Sequence, residues 1–195
     1  MHPKVHWRFM ATERDANVSM GDPAEDEAQR FLNMGTKALE VGDLEKAMGE
    51  YRNSIRAHEN ASAYYNLGVC QYQERDLEGA IASWNDALRL APESPDVHTN
   101  LASAYIMSMP SRADLAVEHL RTAAAQSPGD PEIHFNLGAV LEACEMLEEA
   151  LVEYQRAVEG GIDRAKENVR NCMAKLMTAK LAVEKHEKEG GKNDA

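Results

Sequence analysis

The chain has 195 residues, of which 44% are hydrophobic and 28% are charged, and its formal net charge is −12. This is enough apolar material for one ordinary domain without disulfides or metals, and too much for a wholly disordered chain. The acidic balance argues against nucleic acid and anionic membranes as main partners, and no apolar run approaches the roughly 18 residues that a spanning helix needs.

The three cysteines, Cys70, Cys144 and Cys172, are widely spaced and form no CxxC pair. This spacing predicts neither a disulfide framework nor a zinc site, so we expect reduced structural thiols, no metal and no cofactor. Reduced thiols and the absence of a secretory signal favour an intracellular, cytoplasmic protein.

The first nine residues contain Lys4 and Arg8 but no acidic residue, which leaves a mitochondrial presequence open as the alternative location. Glu13 soon interrupts this pattern, and Met10 is an alternative start. We expect residues 1–21 to be a flexible segment, because Asp22 and Pro23 form a typical beginning of the first helix.

A six-residue block recurs four times along the chain in one register. Apolar residues within and after each copy follow the i, i+3, i+4 and i+7 spacing of amphipathic helices, and no segment alternates with period two. The sequence therefore predicts an all-α protein. The four copies are Arg-Phe-Leu-Asn-Met-Gly at 30–35, Ala-Tyr-Tyr-Asn-Leu-Gly at 63–68, Val-His-Thr-Asn-Leu-Ala at 97–102 and Ile-His-Phe-Asn-Leu-Gly at 133–138.

A second helix follows each block, marked by an alanine and a large residue four positions later. Turn-forming residues separate the two helices of each pair, and prolines or glycines separate successive pairs. The turn of the third copy, 107–112, is lengthened. The marker pairs are Ala47 with Tyr51, Ala80 with Trp84, Ala116 with Leu120, and Ala150 with Tyr154.

The arrangement resembles the tetratricopeptide repeat (TPR), and the second copy carries the resemblance best. Its matching residues are Tyr64, Leu67, Gly68, Ala80, Trp84, Ala87 and Pro92.

The resemblance implies an all-α, right-handed superhelical solenoid of about four helical hairpins plus a C-terminal capping helix. The TPR domain would span 22–189. The repeats would cover about 28–60, 61–94, 95–130 and 131–164, the capping helix 163–189, and a flexible tail 190–195.

Small residues at positions 35, 68, 102 and 138 are predicted to lie where two helices of one hairpin approach closely. The large residues of the marker pairs are predicted to fill the space between successive hairpins. The last hairpin needs a cover, because each repeat buries apolar surface only against its neighbours. We expect the capping helix to supply it through Val169, Cys172, Met173, Leu176, Met177 and Val183.

Each block carries an asparagine directly before its last two residues, on the face that in this family lines the inner groove. An amide side chain can pair with both the N–H and the C=O of an extended peptide. The row resembles the asparagine ladder of the superhelical domain of O-linked N-acetylglucosamine transferase, although asparagine is also simply tolerated at this position. The row is Asn33, Asn66, Asn100 and Asn136, with Asn168 in the matching place of the capping helix.

Asparagines alone would not hold a peptide. Each hydrogen bond contributes about 0.5–1.5 kcal/mol, whereas association costs about 4–15 kcal/mol. Apolar anchors are also required. The groove-facing candidates by the same register are Leu32, Tyr65, Val69, Ile106 and Phe135.

TPR co-chaperones that bind the acidic tails of heat-shock chaperones use Lys and Arg on the inner helices as a carboxylate clamp. In this sequence only Asn66 agrees with the clamp pattern. The other clamp positions hold Leu32, Thr36, Asp96 and Asn100, so a chaperone-tail clamp is not expected.

His98 and His134 share one repeat position, which is an aromatic position of the pattern, so we expect them to pack rather than to bind metal. The sequence has no phosphate-binding glycine loop, no HExxH motif and no nucleophile elbow. We therefore expect that the protein is not an enzyme and that it has no small-molecule ligand.

The favoured hypothesis is a protein-interaction adaptor that binds an extended, partly apolar protein segment in the groove, as a monomer or within a hetero-complex. The alternative is a structural accessory subunit that contacts a larger complex through its convex face or tails.

Overall fold

The structure, a computed structural model, describes residues 22–190, with side chains through Ala182. Within this described part the chain forms nine α-helices and no β-strand, which confirms the predicted all-α class. The segments 1–21 and 191–195, for which the sequence predicts flexibility, lie outside the described residues.

The chain divides into two compact units between Arg112 and Ala113. The boundary falls at the end of the lengthened third turn, whose Arg112 N–H donates to the Tyr105 carbonyl at 3.0 Å. The first unit contains α1 (Pro23–Glu40), α2 (Leu44–Ala57), α3 (Ala61–Gln73), α4 (Leu77–Leu90) and α5 (Pro95–Met107). The second unit contains α6 (Ala113–Gln126), α7 (Pro131–Ala143), α8 (Leu147–Glu159) and α9 (Ala165–Gly190).

Helices pack against their sequence neighbours within each unit. In the first unit, α1 with α2 and α3 with α4 form hairpins, and α5 packs against α4. In the second unit, α7 and α8 form a hairpin, with α6 against α7 and α9 against α8. Each unit is therefore built from contacts between successive helices, as expected for stacked repeats.

Three hairpin turns share one backbone geometry. Gly42, Arg75 and Glu145 adopt positive φ angles of 80°, 67° and 61°. The residue after each one donates its N–H to the carbonyl five positions earlier, at 2.9 Å in all three turns. This bond is typical of helix C-caps that end in the left-handed conformation, so the same turn forms whether or not glycine is present.

Glycines of the first helices lie directly against aromatic rings of the second helices. A Cβ atom at Gly68 would lie 2.5 Å from Trp84 Nε1, and one at Gly35 would lie 2.6 Å from the Tyr51 ring. The same relationship joins Gly138 to the Tyr154 ring, at 2.8 Å. The predicted role of these small residues is confirmed at the three glycines.

The large aromatic residues of the second helices pack against the first helices of their own hairpins. Trp84 shows this, because its indole Nε1 donates to the Tyr65 carbonyl of the paired helix at 3.1 Å. The missing glycine side chain leaves room for the ring inside the hairpin. Tyr154 also accepts a hydrogen bond from Asn168 of α9, and the filling of the space between successive hairpins by these residues stays a prediction.

The capping helix α9 is held by a polar network as well as by apolar contacts. Ala165 and Cys172 are fully buried. Asn168 Nδ2 donates to the Tyr154 hydroxyl at 3.1 Å, and that hydroxyl donates to Glu142 Oε2 at 2.8 Å. The network therefore joins α7, α8 and α9 through hydrogen bonds.

The predicted covering stripe of α9 is only partly correct. Cys172 is buried and Val169 and Leu176 are half-buried, but Met173 and Met177 are 55% and 66% exposed. The packing face of α9 includes Cys172 and excludes the methionines, because adjacent residues on a helix point about 100° apart. The side chain of Val183 lies outside the described residues.

Candidate functional site

The predicted asparagine row has unequal exposure in the first unit. Asn33 is exposed and accepts a hydrogen bond from Gln29 Nε2 at 3.0 Å. Asn66 and Asn100 are only 2% and 4% exposed. The three amides of this unit therefore do not form a series of equivalent exposed groups.

Asn66 and Asn100 also differ in their hydrogen bonding. Asn100 Nδ2 donates to the Tyr65 hydroxyl at 3.3 Å. Asn66 Oδ1 is buried and has no hydrogen-bond partner among the described residues. Asn100 therefore connects α5 to α3, whereas Asn66 Oδ1 makes no such contact.

In the second unit, the row continues with Asn136 on α7 and Asn168 on α9. Asn136 is half-buried and makes no hydrogen bond to the described residues, whereas Asn168 donates to the Tyr154 hydroxyl. Each unit therefore holds one asparagine of the row with an unused amide, Asn66 in the first and Asn136 in the second.

The predicted apolar anchors divide into buried and accessible residues. Leu32, Tyr65 and Val69 are 7%, 2% and 2% exposed. Ile106 and Phe135 are half-buried, so they retain surface that a ligand could cover. Peptide binding by these residues stays a prediction, with the accessible apolar surface on the latter two.

Phe135 lies between two groups that define its environment. Its ring centroid is 5.7 Å from the Tyr154 ring centroid. The central carbon of the Arg164 guanidinium lies 4.3 Å from the Phe135 ring centroid. A cation over the ring face is attracted by the ring's negative quadrupole. Phe135 is therefore held in place while part of its surface stays open.

Burial keeps the tyrosines of these hairpins neutral. Burial raises the pKa of Tyr65 to about 12, against the opposing effect of the Asn100 hydrogen bond. Burial likewise raises the pKa of Tyr51 to about 12. Near neutral pH these hydroxyls serve as hydrogen-bonding groups and supply no charge.

His98 and His134 are 9% and 5% exposed, in agreement with the prediction that they pack in the interior. His134 Nδ1 lies 2.6 Å from Glu153 Oε2, and its Nε2 lies 3.0 Å from the Pro128 carbonyl oxygen. Both ring nitrogens of His134 are therefore used within the second unit. Burial lowers the pKa of His98 below its ordinary value.

A cleft of about 650 Å³ lies in the second unit, and the sequence analysis did not predict it. His134, Glu153, Arg121 and Arg156 contribute to its lining. Arg121 is paired with Glu149 at 2.6 Å and Arg156 with Glu153 at 2.8 Å. His134, Glu153, Arg121 and Arg156 therefore all have hydrogen-bond or ion-pair partners within the second unit.

The residues that the structure describes contain no group of three or more His, Cys, Asp or Glu side chains placed to hold a metal ion. Among the helices of this described part, none has the length and apolar character needed to cross a membrane.

A family model described as tetratricopeptide repeat matches residues 32–105 and 111–166, more than half of the chain. The chain belongs to the tetratricopeptide-repeat family. The gap between the two matched segments coincides with the lengthened third turn. A comparison with curated protein sequences gave no significant match.

Solved TPR structures share the fold. MamA (residues 41 to the end) from Desulfovibrio magneticus RS-1 is 20% identical, with a TM-score of 0.71, covering 87% of this chain and 94% of that one. YrrB, described as a TPR protein with an unusual peptide-binding site, is 24% identical, with a TM-score of 0.68. The alignment covers 78% of this chain and 79% of YrrB.

A third TPR structure is the first TPR of Spaghetti (RPAP3) bound to the HSP90 peptide SRMEEVD. It is 23% identical to this chain, with a TM-score of 0.56, and covers 61% of this chain and 94% of its own. At these identities the similarity to all three structures shows the fold alone.

Proposed function

We propose that this TPR protein is an adaptor that binds an extended, partly apolar protein segment along the groove-facing side of its first helices. The observation that carries this proposal is the buried Oδ1 of Asn66, which has no hydrogen-bond partner among the described residues. The favoured compartment is the cytoplasm, and the role is binding rather than catalysis.

A buried polar atom without a hydrogen bond lowers the free energy of unfolding by about 1–3 kcal/mol, and native proteins retain few such atoms. A backbone N–H of an extended segment would supply the missing donor after rotation of the Asn66 amide. Asn136 offers a second unused amide. This requirement favours a ligand with a regular row of backbone groups.

The accessible surfaces of Ile106 and Phe135 would supply the apolar part of the binding energy. Each unit offers one amide and one partly open anchor, Asn66 with Ile106 in the first unit and Asn136 with Phe135 in the second, and this is a small set of contacts compared with the cost of association. We therefore expect modest affinity, on the order of micromolar.

The TPR neighbours support a peptide ligand, because YrrB has a peptide-binding site and the first TPR of RPAP3 binds an HSP90 peptide. The clamp positions of this chain differ, since they hold Leu32, Thr36, Asp96 and Asn100. An acidic chaperone tail is therefore not the ligand that we propose.

The test is selection of extended peptides of about twelve residues from a displayed library against the full chain. Affinities of the selected peptides would then be measured by fluorescence anisotropy. We expect Asn66→Ala with Asn136→Ala to weaken binding at least about tenfold, which corresponds to the loss of one to two hydrogen bonds.

Asn85→Ala is the matched control. Asn85 is exposed on α4, and its Nδ2 donates to the Ile81 carbonyl of its own helix at 2.9 Å. This control should bind the peptides normally. If the double variant also binds them normally, the asparagine mode is wrong. If the library yields no binding peptide, the structural accessory subunit becomes the favoured function.

A further inference from the structure

Helix α9 presents an exposed face that is both apolar and basic. Met173, Met177 and Leu181 are 55%, 66% and 55% exposed. Arg170 and Lys180 are also exposed. These five residues are called the α9 face below.

Helical geometry places the five residues together. The three apolar residues are spaced i, i+4 and i+8, so they form a stripe about 12 Å long. At about 100° per residue, Arg170 and Lys180 project within about 60° of Met173 around the helix axis. Apolar and cationic groups therefore share one side of α9.

The α9 face is uncovered because α9 extends beyond the helices that hold it. Cys172 is fully buried, whereas every side chain from Met177 to Ala182 is exposed. A helix segment without tertiary contacts is only marginally stable in water. Contact with a partner would stabilise this part of α9.

Among the side chains that the structure describes, the charges of the α9 face have no ion-pair partner. Lys175 is paired with Glu142 at 2.7 Å and Lys166 with Asp163 at 2.6 Å. Arg170 and Lys180, in contrast, make no ion pair with the described residues. The face is therefore cationic in a chain whose net charge is −12.

We propose that the α9 face docks an acidic amphipathic helix of a partner protein. A straight stripe at helical spacing matches the apolar stripe of a second helix, and flexible methionines adapt to different apolar side chains. Acidic residues beside the partner's stripe would pair with Arg170 and Lys180. This site is separate from the proposed groove and does not depend on it.

Charge disfavours the other occupants of this face. Antiparallel pairing of α9 with a second copy would bring the cations Arg170 and Lys180 close to each other. An anionic membrane would attract the face but repel the rest of a chain with net charge −12.

The test uses the full chain and two designed helical peptides of about 18 residues that share one leucine stripe. One peptide has glutamates beside the stripe, and the other has lysines at the same positions. We expect the glutamate peptide to bind at least about tenfold more tightly, with an affinity that falls as salt increases.

Three variants locate the binding. Met177→Glu should weaken binding of the glutamate peptide at least about tenfold, because it removes an apolar contact and adds a negative charge that repels the glutamates of the peptide. Met34→Glu is the control, because Met34 is a 46% exposed methionine on α1 in the first unit. This variant should bind the glutamate peptide as tightly as the wild type. Arg170→Glu with Lys180→Glu should reverse the preference towards the lysine peptide.

The proposal is overturned if the glutamate peptide does not bind, if both peptides bind equally, or if the double charge variant keeps the original preference. Two other results would also overturn it. The first is binding of the wild-type chain, but not of Met177→Glu, to vesicles of phosphatidylcholine and phosphatidylserine. The second is self-association of the wild-type chain in sedimentation that is lost in Met177→Glu. Binding of the glutamate peptide by the Asn66→Ala and Asn136→Ala double variant would show that this site is independent of the groove.

Discussion

The Asn100 side-chain amide donates a hydrogen bond to the Tyr65 hydroxyl, and both side chains are buried. The bond connects α5 to α3 within the first unit. Asn66, which occupies the same repeat position on α3, is equally buried but has an unpaired Oδ1. Two asparagines that are equivalent in the repeat pattern thus have different physical roles.

Replacement of the two asparagines should therefore have different effects on stability. Asn100→Ala should lower the free energy of unfolding by about 1–3 kcal/mol, because it removes the buried hydrogen bond that joins α5 to the Tyr65 hydroxyl. Asn66→Ala should leave the free energy of unfolding within about 0.5 kcal/mol of the wild-type value or raise it, because it removes an unpaired buried oxygen. Urea denaturation followed by circular dichroism measures both values. An equal loss for the two variants would contradict this assignment.

The close contact of Gly68 with Trp84 predicts a severe effect of a single methyl group. Gly68→Ala should cost about 1–3 kcal/mol or more, because its Cβ would lie 2.5 Å from the indole Nε1. Gly49→Ala in α2 is the control, since a Cβ at Gly49 would have no neighbour within 4 Å. The control should stabilise the protein by about 0.5–1 kcal/mol through helix propensity. Thermal unfolding of both variants checks the opposite signs.

Burial of His98 predicts a loss of stability in acid. Its pKa is lowered in the folded state, so the unfolded chain binds the proton more readily. The stabilising contribution is complete above the ordinary pKa of about 6.5 and is lost as the pH falls from there through the lowered folded value.

Denaturation measured at about pH 7.5 and about pH 5.5 tests this dependence. His98→Phe, which keeps an aromatic ring but cannot titrate, should lose less stability than the wild type on acidification. His58→Gln is the control, because His58 is exposed, and it should follow the wild type. If His98→Phe follows the wild type as well, the buried ring is not the source of the pH dependence.

Burial also predicts which thiol is unreactive. Cys70 is fully buried, and burial raises the pKa of its thiol to about 12. At about pH 8 only about one Cys70 in 10⁴ would be a thiolate, which is the nucleophilic form. Cys144 is half-buried and provides the internal comparison.

We expect iodoacetamide to modify Cys144 in the native protein and to modify Cys70 only after unfolding in urea. Peptide mapping by mass spectrometry distinguishes the two sites. Native labelling of Cys70 at the rate of Cys144 would show that the first unit opens readily.

The repeat pattern was sufficient to predict the features that depend on neighbours in the chain. The pattern placed Gly68 where the two helices of one hairpin approach closely, because two adjacent antiparallel helices meet at fixed positions. The family match, the all-α class and the aromatic position of His98 follow from the same register.

Exposure and partners were decided by the tertiary structure. Periodicity shows which residues share a helix face, but it does not show which face a neighbouring helix covers. Asn66 and Asn33 therefore look alike in the sequence although one is buried and the other exposed. For the same reason the spacing assigned Met177 to the covering stripe of α9, whereas the rotation and length of that helix leave it exposed.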